Sequence, residues 1–123
     1  MDSFQEKLRL LTKVRTLLAE PSAWTKESFC RGPDGKDVRL SSNSAVCWCL
    51  SGAAAHGIPP ADRLGGWSAS MDLLTALLGF ENTSEMEAWN DAPERTHVEV
   101  LERLDEAIRR LSEGSTSIQK ENV

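Results

Sequence analysis

A mainly α-helical, compact single domain of about four helices, with a short β-hairpin or extended loop between the first and second, is the fold class this sequence predicts. Three observations lead there. Apolar residues recur at spacings of three and four near both ends of the chain, which gives each run one buried helical stripe. A middle stretch, Val46 to Ala55, is apolar on nearly every side and asks to be surrounded by protein. Between the first run and that stretch, Pro33-Asp34-Gly35 interrupts the helical period with residues suited to a reversal of direction. At 123 residues, 40% hydrophobic and 27% charged, the chain can bury one core and is neither collagen-like nor low-complexity. One domain is expected over residues 1–113, followed by a disordered tail over 114–123 that lacks periodicity.

The elements follow in order. Phe4, Leu8, Leu11, Val14 and Leu18 form the stripe of a first helix from about Ser3 to Glu20, stopped by Pro21. Residues 24–40 read as a short hairpin or extended loop around Pro33-Asp34-Gly35, which must lie on the helices because two strands alone are marginal. The second helix is expected to start after Ser42 or Ser44 and to run to about Ala55 at the centre of the fold. His56-Gly57-Ile58-Pro59-Pro60 reads as its terminus. Asp62 to Trp67 reads as a loop. A third helix follows from Ser68 or Ser70 to Leu78, ending at Gly79 with Phe80 folded back toward Leu74. Ser84-Glu85-Met86-Glu87 resembles a capping box that opens one further turn toward Trp89. Thr96-His97-Val98-Glu99 is a clearer capping box, and Leu101, Leu104, Ile108 and Leu111 continue it as the last helix.

The charge is segregated. The total is −5, yet residues 81–106 hold nine acids against two bases. Such a segment repels phosphate backbones, so direct nucleic-acid binding is not expected, whereas a basic protein surface would be attracted. No apolar run approaches a membrane span, and the first residues carry neither a basic start nor an apolar stretch, so a cytoplasmic protein without membrane contact is expected.

Few residues suggest chemistry. Nucleotide-binding, zinc-protease and serine-hydrolase patterns are absent, so no cofactor and no catalytic residue is assigned. Cys30, Cys47 and Cys49 are an odd number and are expected to be free thiols; with His56 they could be imagined as a zinc set of a metal-stabilised structural protein. On one helix, however, Cys47 and Cys49 would point about 200° apart. His56 fits a helix end, where a cation favours the last carbonyls. His97 could act as a neutral base near Asp91 or Glu94, and with Arg95 these residues make up the alternative reading of a small-ligand protein or hydrolase-like enzyme.

Specific residue types are densest from Trp89 to Val100. Asn90 and Asp91 can bond nearby backbone, Pro93 stiffens the approach, and Arg95 can pair with a carboxylate such as Asp91. Such a corner either fixes the last helix on the core or presents Trp89 as an anchor to a partner. Among the four tryptophans, Trp24 and Trp67 are further candidates for an exposed anchor. The run Trp89-Asn90-Asp91, Arg95-Thr96, Glu99-Val100, then Leu104 and Ala107-Ile108, with Ala45-Val46, Trp48-Cys49-Leu50 and Gly52-Ala53 upstream, resembles an uncharacterised domain-of-unknown-function family of short bacterial and phage-borne proteins over residues 4–110. That family carries no catalytic residues to transfer. The resemblance, together with the acidic balance, implies a non-enzymatic protein-binding module. It would inhibit a host nucleic-acid-handling complex, such as a defence complex, by occupying a basic groove on a larger protein. The expected contact residues are Glu85, Glu87, Trp89, Asp91, Arg95, Glu99, Glu102 and Glu106.

Overall fold

The computed structural model describes residues 2–58 and 66–121, with side chains over 3–58 and 66–113. It is mainly helical. The elements run α1 (Asp2–Leu17), a 3-10 turn (Pro21–Ala23), β1 (Cys30–Arg31), β2 (Cys47–Trp48), α2 (Leu50–Ala55), α3 (Gly66–Leu77), α4 (Thr83–Asp91) and α5 (His97–Glu121).

In α1 the stripe buries Leu10, Leu11, Val14 and Leu18. The helix stops before Pro21 because the residue ahead of a proline is pushed to extended backbone, and Glu20 takes φ −93°, ψ 141°. Arg15 meets Asp105 at 2.7 Å, and the His97 ring Nε2–H donates to the Leu18 carbonyl at 2.7 Å. Both contacts place the C-terminal half of α1 beside the first turns of α5, so the two helices run antiparallel.

The expected turn at Pro33-Asp34-Gly35 is present. The Gly35 amide donates to Gly32 O at 2.9 Å, Gly32 N–H donates to Lys36 O at 2.9 Å, and Gly35 takes φ 81°, which glycine adopts without penalty. A bridge joins Arg31 to Asp37. The ladder itself forms elsewhere. β1 pairs antiparallel with β2, Cys30 opposite Trp48 and Arg31 opposite Cys47.

This pairing corrects the expected start of the second helix. Residues 42–49 are not helical, because Cys47 and Trp48 are held in the ladder and α2 begins at Leu50. Cys49 is its N-cap, with the thiol sulfur accepting from Gly52 N–H at 3.3 Å. The central role expected for the apolar stretch holds: all six residues of α2 are buried, Trp48 is 7% exposed and Ala55 0%. α2 packs against α1, α3 and α4. Its approach to β1 demands a glycine, since a Cβ on residue 52 would stand 1.9 Å from the Phe29 carbonyl oxygen.

α3 starts earlier than expected, with Gly66 and Trp67 in its first turn instead of in a loop, and Trp67 Nε1–H donates to Ile58 O at 2.6 Å. The remainder of the expected loop, residues 62–65, and the two prolines of the expected α2 terminus, 59–60, lie outside the described residues. The turn expected toward Trp89 is a full helix, α4. Its cap is Asn82, not Ser84: Asn82 Oδ1 accepts from Glu85 N–H at 2.8 Å while the Glu85 carboxylate accepts from Glu81 N–H at 2.9 Å. The backbone of α5 is helical to Glu121; side chains from 114 onward are outside the described residues.

Candidate functional site

Asn90 is the polar centre of the Trp89–Glu99 corner. It is 1% exposed, and its amide uses both ends. Oδ1 accepts from Trp24 Nε1–H at 2.9 Å and from Leu50 N–H, in the first turn of α2, at 3.2 Å. Nδ2 donates to Thr25 O at 3.1 Å and to Asp91 Oδ1 at 2.9 Å. One side chain thereby joins α4, the start of α2 and the segment after the 3-10 turn. Trp24 is consequently a braced structural residue and not a free anchor.

Trp89 is covered in the same way. The Arg95 guanidinium lies 4.0 Å from its ring centroid and that of Arg103 lies 5.2 Å away. Phe80 approaches it at 5.8 Å. Arg95 Nε–H donates to Trp89 O at 2.9 Å and Nη1 stands 3.5 Å from Glu99. Arg103 donates to Leu78 O at the end of α3. Arg95 therefore does not pair with Asp91, as the sequence suggested; the stack on Trp89 draws it the other way. The expected capping box holds, with Glu99 N–H donating to Thr96 Oγ1 at 3.3 Å and Thr96 N–H to Glu99 Oε1 at 2.9 Å. The Thr96 backbone bond, foremost, keeps the Glu99 carboxyl below its ordinary range.

Asp91, Arg95 and His97, the residues of the enzyme reading, turn to three different partners. Asp91 Oδ1 accepts the Glu27 amide at 2.8 Å, Arg95 covers Trp89, and His97 holds Leu18 with its ring 6.2 Å from Trp24. The thiols offer no alternative. Burial raises the Cys49 pKa to about 11 and, first among its causes, also raises that of Cys30, so neither is a ready thiolate nucleophile. Cys47 lies in a strand, which removes the helical argument against its sharing an ion with Cys49. Even so, no group of three His, Cys, Asp or Glu among the described residues could hold a metal.

The expected acidic contact residues divide into two sets. On α5, Glu106 is held by Arg109 and Arg110, whose bonds keep its carboxyl below the usual range. Glu99 is used by the cap, and Glu102 is exposed. Glu85 caps α4. Glu87 and Asp91 instead face a groove of about 430 Å3 together with Glu27 and Asp37. Phe29, 45% exposed, and Val38 supply its apolar surface. Four carboxylates from three separate stretches thus converge, and only Asp37 has an ion-pair partner among the described residues, Arg31 at 3.2 Å. Glu87 accepts from Ser51 Oγ–H at 3.0 Å. Glu27 takes φ 61°, a left-handed conformation that costs a side-chain-bearing residue about 1 kcal/mol, and Asp91 holds it there through its amide.

Glu27, Phe29 and Asp37 were not among the residues the sequence nominated. No local pattern marks them, because their proximity to α4 depends on β1 pairing with β2. The nearest signal was the Pro33-Asp34-Gly35 turn, which brings Asp37 back beside Arg31.

Fold and site define a small helical domain with a two-stranded insertion, braced by an asparagine hub and opening on an acidic groove. The chain belongs to a family of unknown function, DUF6197, whose model matches residues 4–110. No curated protein and no solved structure matches it. No helix among the described residues is long and apolar enough to cross a membrane.

Proposed function

We propose that the protein is a non-enzymatic protein-binding module that takes a cationic segment of a larger partner into the groove between the 27–38 stretch and α4. One observation carries this reading: Glu27, Asp37, Glu87 and Asp91 meet around an exposed phenylalanine, and Arg31 offsets only one of them. Lysine or arginine side chains would supply the missing charge, and an arginine could also lie over the Phe29 ring. The finer form of the proposal, suggested by acidity and small size, is inhibition. The module would occupy the basic surface with which a host complex holds nucleic acid.

Capture from native lysate on the immobilised chain tests the reading. A basic protein should be retained by the wild type and released by moderate salt, and the double variant Asp37→Asn, Glu87→Gln should retain much less of it. Retention that ignores both salt and the double substitution would overturn the groove as the contact surface.

A further inference from the structure

At the other end of α2 the sign of the charge reverses. A cleft of about 520 Å3 opens between α1, the His56–Ile58 turn and α3, within the size range of sites that enclose small molecules. Leu10, Ile58 and Leu73 give it apolar walls, while Arg9, Lys13 and Ser70 bring donors and Glu6 adds an acid.

The fold accounts for only part of this donor set. Lys13 gives two of its three ammonium protons to Ala54 O at 2.7 Å and His56 O at 2.9 Å, which caps the negative end of α2. Arg9 and Ser70 make no side-chain hydrogen bond or ion pair among the described residues. The His56 ring rests 5.0 Å from that of Trp48, and its buried Nδ1 has no hydrogen-bond partner among the described residues. Burial also holds the Lys13 pKa below its ordinary value, so a neighbouring anion would favour its charged form.

We propose that this cleft binds a small organic anion, a carboxylate or phosphate head on an apolar body. Arg9 is the main contact of the head, because its planar fork of donors matches either group and no group among the described residues uses it. Leu10, Ile58 and Leu73 line one side of the body, and the cleft leaves the rest of it open to water. The site is independent of the acidic groove, which involves none of these residues.

The test is an NMR titration of the full chain with phenylphosphate and with 4-phenylbutyrate. Either probe should shift the amides of Arg9, Ile58, Ser70 and Leu73, and binding by only one of them identifies the head group. Arg9→Gln should weaken binding about tenfold, the loss of one charge-assisted contact, at an unchanged melting temperature. Ser70→Phe, which fills the cleft, should abolish it. The proposal falls if neither probe shifts these amides at millimolar concentration, if the shifts gather around Glu27 and Asp37 instead, or if Arg9→Gln binds as the wild type does.

Discussion

The Trp89–Glu99 corner and the acidic groove share α4 and differ in how their polar groups are used. In the corner, Asn90 has two donors and two acceptors satisfied, Arg95 and Arg103 cover Trp89, and Thr96 and Glu99 cap each other. In the groove, Glu27 and Glu87 keep carboxylates that no cation among the described residues neutralises. A dense motif can therefore belong to the scaffold, while the carboxylates of the groove, two of them without any local pattern, come together only through the fold.

Substitutions should separate the two regions by what they damage. The largest effect is expected for Asn90→Leu, which keeps the branched shape, adds bulk and strands the Leu50 amide, the Trp24 indole and the Thr25 carbonyl. Unfolding in urea should show a loss of about 3–5 kcal/mol. Gly52→Ala should cost about 2–3 kcal/mol, because the new methyl meets backbone rather than a flexible side chain. A change near zero there would mean that β1 does not approach α2 as described.

The corner's outer layer should be milder. Arg95→Lys removes the planar stack on Trp89 and should cost about 1 kcal/mol in the same assay. Thr96→Ala should also cost about 1 kcal/mol by loss of the α5 cap. Glu99 adds a pH signature. Its folded pKa lies below the ordinary carboxyl value, so its stabilisation is complete above that value and is lost as pH falls through the lowered one. Thermal melts from neutral into acid pH should show the gap between wild type and Glu99→Gln closing in that window. A gap that widens in acid would contradict the assignment. The smallest effect on stability belongs to the groove. Asp37→Asn with Glu87→Gln should change unfolding by less than about 0.5 kcal/mol, since one ion pair is exposed and the Ser51 bond survives in the amide.

Much of the helical frame was legible in the sequence for plain physical reasons. The α1 stripe, the buried middle stretch and the Thr96–Glu99 box each depend on residues within a turn or two of one another. The early part of the expected second helix failed because Cys47 and Trp48 are fixed by Cys30 and Arg31, a pairing across the Pro33-Asp34-Gly35 turn that no local period reports. Asn82 rather than Ser84 caps α4, since Asn82 holds extended backbone at φ −157°, ψ 169° and accepts the Glu85 amide, while Ser84 already lies inside the helix. The proposed contact surface was only half visible: Glu87 and Asp91 stood out as acids of the 81–106 window, but Glu27 and Asp37 join them only through the fold.

Affinity for a hexa-arginine peptide, compared between two variants of equal net charge, tests the central claim most directly. Asp37→Asn with Glu87→Gln removes two carboxylates from the groove, and Glu94→Gln with Glu102→Gln removes two exposed ones outside it. The groove pair should bind about tenfold more weakly than wild type, the loss of two charged contacts at partial screening, while the other pair stays within about twofold. Equal losses in both, or a greater loss in the second, would show that the peptide senses only the overall charge and that the groove is not the binding surface.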